Sequence, residues 1–348
     1  MRGLRTCRRL AATTLTAALF WAAPARAADL ALDRQSGFVV PVEVNGHVLR
    51  LRVDPGANGV IVLNPEAAER VGLREASLGR ELARALGIGM PARGGDDASG
   101  RTIDQVPVNA APSSRVAAAQ AEVSPLVQLG PLLARGRFGM ARLRAGGSES
   151  AKVFAWFESR AVEDADGVIS PAELPYATVT FRLSEPRRGE RSFTFNGRYT
   201  PLAGFVVPLA VRDYVVNVKL SVSEPNSIAT AAAAAVIAQS HDGAWSGEVR
   251  RHHIALGVMR PVRPLALGRP VPIAAMRVRS FLVRFRDNGG DVRLPADVAT
   301  DPDEIVVTGP GAAQPVRFLL VLGRDQLASC SSIVWQRRSV RLVARCAA

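Results

Sequence analysis

The chain has 348 residues, 48% of them hydrophobic and 5% aromatic, with a formal net charge of +13. That is enough to build one large domain or two lobes with cores of their own. Only Lys152 and Lys219 are lysines, and the arginines that supply the rest of the basic charge are scattered without a recognition helix or a stacking platform, so nucleic acid is not an expected partner.

Residues 1–27 read as a signal peptide. Arg2, Arg5, Arg8 and Arg9 form a basic start, residues 10–23 are apolar, and Ala25-Arg26-Ala27 is a small-x-small cleavage site. The apolar run is too short to cross a bilayer comfortably, and no later stretch is long and uncharged enough, so no membrane span is expected. Cleavage after Ala27 removes five arginines and no acid, lowering the net charge from +13 to +8. The expected location is the periplasm or the exterior of a bacterial cell.

Residues 37–53 alternate like two strands joined by an Asn45-Gly46 turn. They lead into the loop Asp54-Pro55-Gly56-Ala57-Asn58, an apolar strand over 60–63, and a short helix in which Asn64 is the candidate N-cap and Pro65 suits the first helical position. Residues 87–112 form an irregular insert with a turn-rich centre, expected as a surface loop. Strand patterns resume at 154–157 and 178–183, and a charged turn over 184–191 marks a lobe boundary.

A second copy of the first unit follows. Gly204-Phe205-Val206-Val207-Pro208 repeats Gly37-Phe38-Val39-Val40-Pro41 letter for letter at an offset of 167. A strand-like stretch, 209–220, and a helical run, 230–239, then follow in the same order as in the first copy. Residues 280–285 alternate as a strand, and 287–315 form a long loop that is acidic at Asp297, Asp301, Asp303 and Glu304. At the C-terminal end, two strands around a turn at 337–339 place Cys330 opposite Cys346, a plausible cross-strand disulfide in an oxidising compartment. Helix signals are few and short, and many short strands with turn punctuation give an all-β fold. The lobes are expected at 28–190 and 191–348.

Several chemistries lack their residues. Residues 162–173 resemble a calcium-binding loop at Asp164, Asp166, Gly167, Ile169 and Glu173, but Val162 stands at the first ligand position and no helix exits. The four histidines lack metal spacing, and no nucleophile elbow, phosphate loop or dinucleotide fingerprint is present. No metal and no cofactor are expected.

Hairpin, Asp-x-Gly loop, strand and short helix together resemble the active-site segment of retroviral-type and pepsin-type aspartic proteases. Each lobe of that superfamily also carries two apolar residues and a glycine behind its loop. Val321-Leu322-Gly323 fits this mark in the second lobe, and Val168-Ile169-Ser170 takes the role in the first with serine in place of glycine. The resemblance implies a bilobal acid-protease-like β-barrel fold and a monomer, since both lobes lie in one chain. It places Asp54 at the catalytic position, with Pro55, Gly56, Ala57, Asn58 and Ser223 in the loops that line the cleft. The family's loop, however, normally carries a hydroxyl residue where Pro55 stands and another where Asn58 stands. The second-lobe equivalent of Asp54 is Ser221, and Glu224 is the only nearby acid. Hydrolysis in this family needs two carboxylates about 3 Å apart sharing one proton. The expectation is therefore a protein that holds an extended peptide or protein segment in an interlobe cleft, with a degenerate dyad. The alternative is an active endopeptidase using Asp54 and an unidentified second acid.

Overall fold

The computed structural model describes residues 28–75, 126–129, 132–274, 276–284 and 318–347; residues 1–27, expected as a signal peptide, and the expected 87–112 insert and 287–315 loop lie outside the described residues. The fold is all-β, with 56% of the described residues in strands and only short helices among them.

β1 (Asp29–Asp33) belongs to a shared sheet considered below. β2 (Val39–Val44) and β3 (His47–Val53) form the expected hairpin. Asn45 and Gly46 sit at its turn with φ of 49° and 83°, the left-handed backbone that a two-residue hairpin demands. β4 (Ile61–Leu63) and α1 (Pro65–Arg70) follow, then β5 (Leu126–Leu129), the long hairpin β6 (Leu132–Ala145) and β7 (Ser148–Phe157), and β8 (Gly167–Ile169). β8 inserts between β3 and β4, parallel to the first and antiparallel to the second. The order β2-β3-β8-β4-β7-β6 closes on itself through Glu43–Arg144 and Val44–Leu143 pairing, giving a six-stranded barrel. Alternation along β2 and β3 sends Val40, Val42, Val44, Leu49, Leu51 and Val53 inward, all nearly inaccessible.

β9 (Thr178–Arg182), β10 (Arg191–Asn196) and β11 (Arg198–Thr200) connect to the second unit. Its strands are β12 (Gly204–Val211), β13 (Tyr214–Leu220) and β14 (Ile228–Ala229), followed by α2 (Ala231–His241) and β15 (Gly243–Trp245). β16 (Arg250–Ala255), β17 (Val258–Ile273), β18 (Met276–Arg284) and β19 (Leu319–Leu322) complete it. The strand-like stretch 209–220 lies in the hairpin β12–β13, with Arg212 at φ 52° in the turn. β19 inserts between β13 and β14 as β8 inserts between β3 and β4, again parallel to one neighbour and antiparallel to the other. Val168 pairs with Arg52 and Val62, and Val321 pairs with Lys219 and Ile228, so the inserted strands sit alike in both units, but the offset of 167 between Arg52 and Lys219 falls to 166 between Val62 and Ile228 and the second loop is one residue shorter. The second sheet, β11-β12-β13-β19-β14-β18-β17-β15, keeps this order without the closing pair.

The last elements are α3 (Arg324–Leu327), β20 (Cys330–Gln336) and β21 (Arg341–Cys346). They join β1, β9 and β10 in a five-stranded sheet, order β1-β9-β20-β21-β10, drawn from both halves of the chain. Each repeat plants its phenylalanine on this sheet. Phe38 packs edge-on against Phe181, and Phe205 against Trp335. Gly37 and Gly204, at φ of 66° and 69°, supply the left-handed backbone that turns the chain just before each phenylalanine. Cys330 and Cys346 are opposite one another and joined as a disulfide. The expected route to that pairing needs correction. The turn is one residue longer than expected, with Gln336 opposite Arg341, and a bulge at Ser331 restores the register.

The β16–β17 hairpin leaves its own sheet and reaches the first unit. Its turn, Leu256-Gly257, has φ of 52° and 73°. Leu256 is buried against Val60, Ala155 and Phe157, and Ile254 packs in both this cluster and that of Ile228, Val262 and Leu282.

Candidate functional site

The two repeat units bring their loops face to face. The first loop is hung from the inserted strand, Asp54 N donating to Ile169 O at 3.0 Å. The second repeats this bond, Ser221 N to Leu322 O at 2.9 Å. Asp54 and Ser221 are 4% and 5% exposed. Gly56 N donates to Asp54 Oδ1 at 2.7 Å, and Ser223 N donates to Ser221 Oγ at 3.2 Å, so each loop closes on its own leading side chain. The loops touch at Gly56, where a Cβ would lie 2.9 Å from Leu220 O and 3.1 Å from Asp54 Oδ1.

Across that contact the Ser221 hydroxyl donates to Asp54 Oδ2 at 2.7 Å, and Ser223 N donates to the same oxygen at 3.0 Å. Ser221 Oγ in turn accepts from Glu224 N at 3.0 Å. The Asp54 carboxylate is thus held by three donors from both units. A serine hydroxyl holds the place that a second carboxylate needs for shared-proton chemistry, and a neutral hydroxyl does not ionise near neutral pH.

The remaining residues named from the sequence fall behind or beside this centre. Val168 and Ile169 lie on β8, Val321 and Leu322 on β19. Ser170 is buried and its hydroxyl caps a 3₁₀ turn, accepting from Ala172 N at 3.3 Å. Gly323 has no room for a side chain, since a Cβ would lie 2.6 Å from the Asn226 carbonyl carbon. Pro55 is buried, and Ala57 lies against Gly204. Asn58 does not reach the Asp54 carboxylate; its Oδ1 accepts from Lys219 Nζ at 2.8 Å, and Lys219 also donates to Gly56 O at 3.1 Å. Lys219 therefore ties the second unit to both Gly56 and Asn58 of the first loop. Asn64 is the N-cap residue of α1, as expected, but it caps without a side-chain bond to the helix; its amide donates to Val162 O at 2.7 Å and Ala165 O at 2.9 Å while accepting from Ala161 N at 2.8 Å.

Glu224 is the acid nearest in character to a partner for Asp54. Burial first, and then the negative charge of Asp54, push its carboxyl up to about 7, against the opposing pull of Arg324 and Arg284. His252, on β16, sits with Nε2 4.0 Å from Glu224 Oε2. Burial first, then the charges of Arg250 and His253, depress the basicity of that imidazole. His252 Nε2 and Ser223 Oγ are buried without a hydrogen-bond partner. Arg52 precedes Asp54 and pairs with Asp164; its guanidinium lies within electrostatic reach of Asp54 and Arg324. Sequence reasoning did not find His252, Arg324, Arg52 or Lys219. One signal was present, because Arg52 and Lys219 are the same position of the repeat, two residues before Asp54 and Ser221.

The three acids of the calcium-like segment face different partners. Asp164 meets Arg52, Asp166 meets Arg70 at 2.7 Å, and Glu173 meets Lys152 at 2.8 Å and the Tyr199 hydroxyl. Among the described residues no group of three potential ligands converges on a metal position, and no helix is long and apolar enough to cross a membrane. No protein-family model matches the chain, and no curated protein matches it in sequence.

Proposed function

We propose that the chain is an exported, monomeric member of the aspartic protease superfamily that holds an extended peptide or protein segment between its two repeat units and does not cleave it efficiently. The observation that carries this reading is the 2.7 Å hydrogen bond from Ser221 to Asp54. Two facing loops with one acid and one hydroxyl keep the geometry of a paired-acid site and lack its second proton-carrying group. An extended segment laid across the loops would be held by main-chain pairing of the strand-addition kind. The disulfide between Cys330 and Cys346 fits an oxidising compartment.

The test is binding of unstructured peptides, followed by fluorescence anisotropy with the mature protein. Binding that persists in Asp54→Asn, with no fragments by mass spectrometry, is the expected result. Absence of binding across a diverse peptide set contradicts the reading.

Glu224 favours a second reading. A carboxyl that stays protonated up to about pH 7 near Asp54 is a candidate general acid. In that case the protein is an endopeptidase, and both Asp54→Asn and Glu224→Gln abolish peptide cleavage.

A further inference from the structure

We propose that the β16–β17 hairpin is a strap that holds the site shut, and that it lifts off the two loops to admit the extended segment. The inference rests on the peptide-binding reading and adds how access to that site is regulated.

The centre is closed as it stands. Asp54 and Ser221 are almost inaccessible, and Ser223 Oγ is buried. Something beside the loops therefore has to move, and the loops themselves are the least free to do so. Each hangs from its inserted strand, and the two are joined through Ser221, Ser223 and Lys219. The hairpin is held differently. It runs past both loops, with His252 beside Glu224 of the second and Leu256 on Val60, two residues beyond Asn58 of the first. Among the described residues β16 pairs with β17 alone. Its hold on the first unit is a satellite cluster of four buried residues, Val60, Ala155, Phe157 and Leu256, apart from the main core. A segment with few buried apolar contacts opens locally at low cost. Leu256 makes its contact from φ 52°, a left-handed backbone that is unfavourable for a bulky side chain. Midway along, the seated strap leaves polar groups unmet. His252 Nε2 is buried 4.0 Å from Glu224 Oε2, too long for a hydrogen bond. Among the described residues neither it nor Ser223 Oγ has a partner, a costly state for a buried polar atom. Lifting the hairpin returns both atoms to water and relieves the backbone at Leu256. The closed state is thus held by the apolar tip against these opposing costs.

The test is labelling by iodoacetamide of the full mature chain, residues 28–348, whose only cysteines, Cys330 and Cys346, are joined as a disulfide. Two probes, introduced one at a time, face each other across the strap contact: Ser223→Cys on the loop and His252→Cys on the strap. If one of them fails to fold, the other still reads the contact. Val179→Cys, in β9 at a fully buried position of the shared sheet, reports global unfolding. The expected result is slow labelling at both strap probes, quickened about tenfold or more by Leu256→Asn, with the rate at Val179→Cys unchanged. Rapid labelling of the strap probes before Leu256 is altered, no effect of Leu256→Asn, or an equal acceleration at Val179→Cys overturns the proposal. Peptides separate it from the reading beneath it. A segment that binds only the open form associates faster with Leu256→Asn, in proportion to the gain in open population. If unstructured peptides bind the wild type and Leu256→Asn at equal rates, this inference fails and the peptide-binding reading stands. If labelling depends on Leu256 but no peptide binds either form, the strap stands and the peptide-binding reading fails.

Discussion

At the scale of single residues, the site turns on two side chains that differ in what surrounds them. Asp54 is almost inaccessible yet fully supplied with donors, whereas Glu224 is partly buried beside that charge with arginines at its back. This difference has a pH consequence. Below pH 4.5 Glu224 is protonated in both folded and unfolded chains. Between 4.5 and about 7 the unfolded chain releases the proton while the folded chain retains it, so stability contributed at low pH is lost as pH rises through that window. With the carboxyl about one-third exposed, the loss is about 1–3 kcal/mol. Urea unfolding at several pH values should show this decline, and Glu224→Gln should flatten it; superimposable profiles would contradict the assignment. Asp54 and Ser221 were legible in the sequence because a loop leaves a local signature. His252 was not, because its approach to Glu224 depends on a hairpin folding back from a distant part of the chain.

At the scale of elements, the β16–β17 hairpin is the piece that bridges the units. Leu256 holds its tip on Val60, Ala155 and Phe157 from a left-handed backbone position. Asparagine tolerates that backbone but not that apolar contact. Leu256→Asn is therefore expected to cost about 2 kcal/mol of local stability. Hydrogen exchange should speed up at 250–258 and leave the shared five-stranded sheet unchanged. Uniform acceleration, or none, would show that the contact does not anchor the hairpin. The elements themselves were largely readable. The Asn45-Gly46 turn, α1, α2 and the repeated Gly-Phe-Val-Val-Pro segment carry local signals. Closure of the first barrel through β2 and β6, and the insertion of β8 and β19, depend on long-range pairing that no local pattern records. The terminal hairpin shows the limit well. Its cysteines were paired correctly, but through a shorter turn and without the bulge at Ser331, two offsets that cancel.

At the scale of the molecule, two units of one strand order, joined by a sheet to which both contribute, bring one carboxylate and one hydroxyl to the same point. A positioned acid–base group is worth roughly 10²–10⁴-fold, so the lack of a second one costs about 3–5 kcal/mol of barrier. Ser221→Asp puts a second carboxylate within hydrogen-bond reach of Asp54, and buried Pro55 and lysine-bound Asn58 are expected to keep the resulting rate low. The most direct measurement is cleavage of an unfolded protein substrate by the mature chain between about pH 3 and 7, the range in which a carboxyl pair shares a proton. The account predicts no efficient turnover by the wild type and measurable turnover by Ser221→Asp. Clear turnover by the wild type, blocked by a statine-type transition-state analogue and lost in Asp54→Asn, would contradict it.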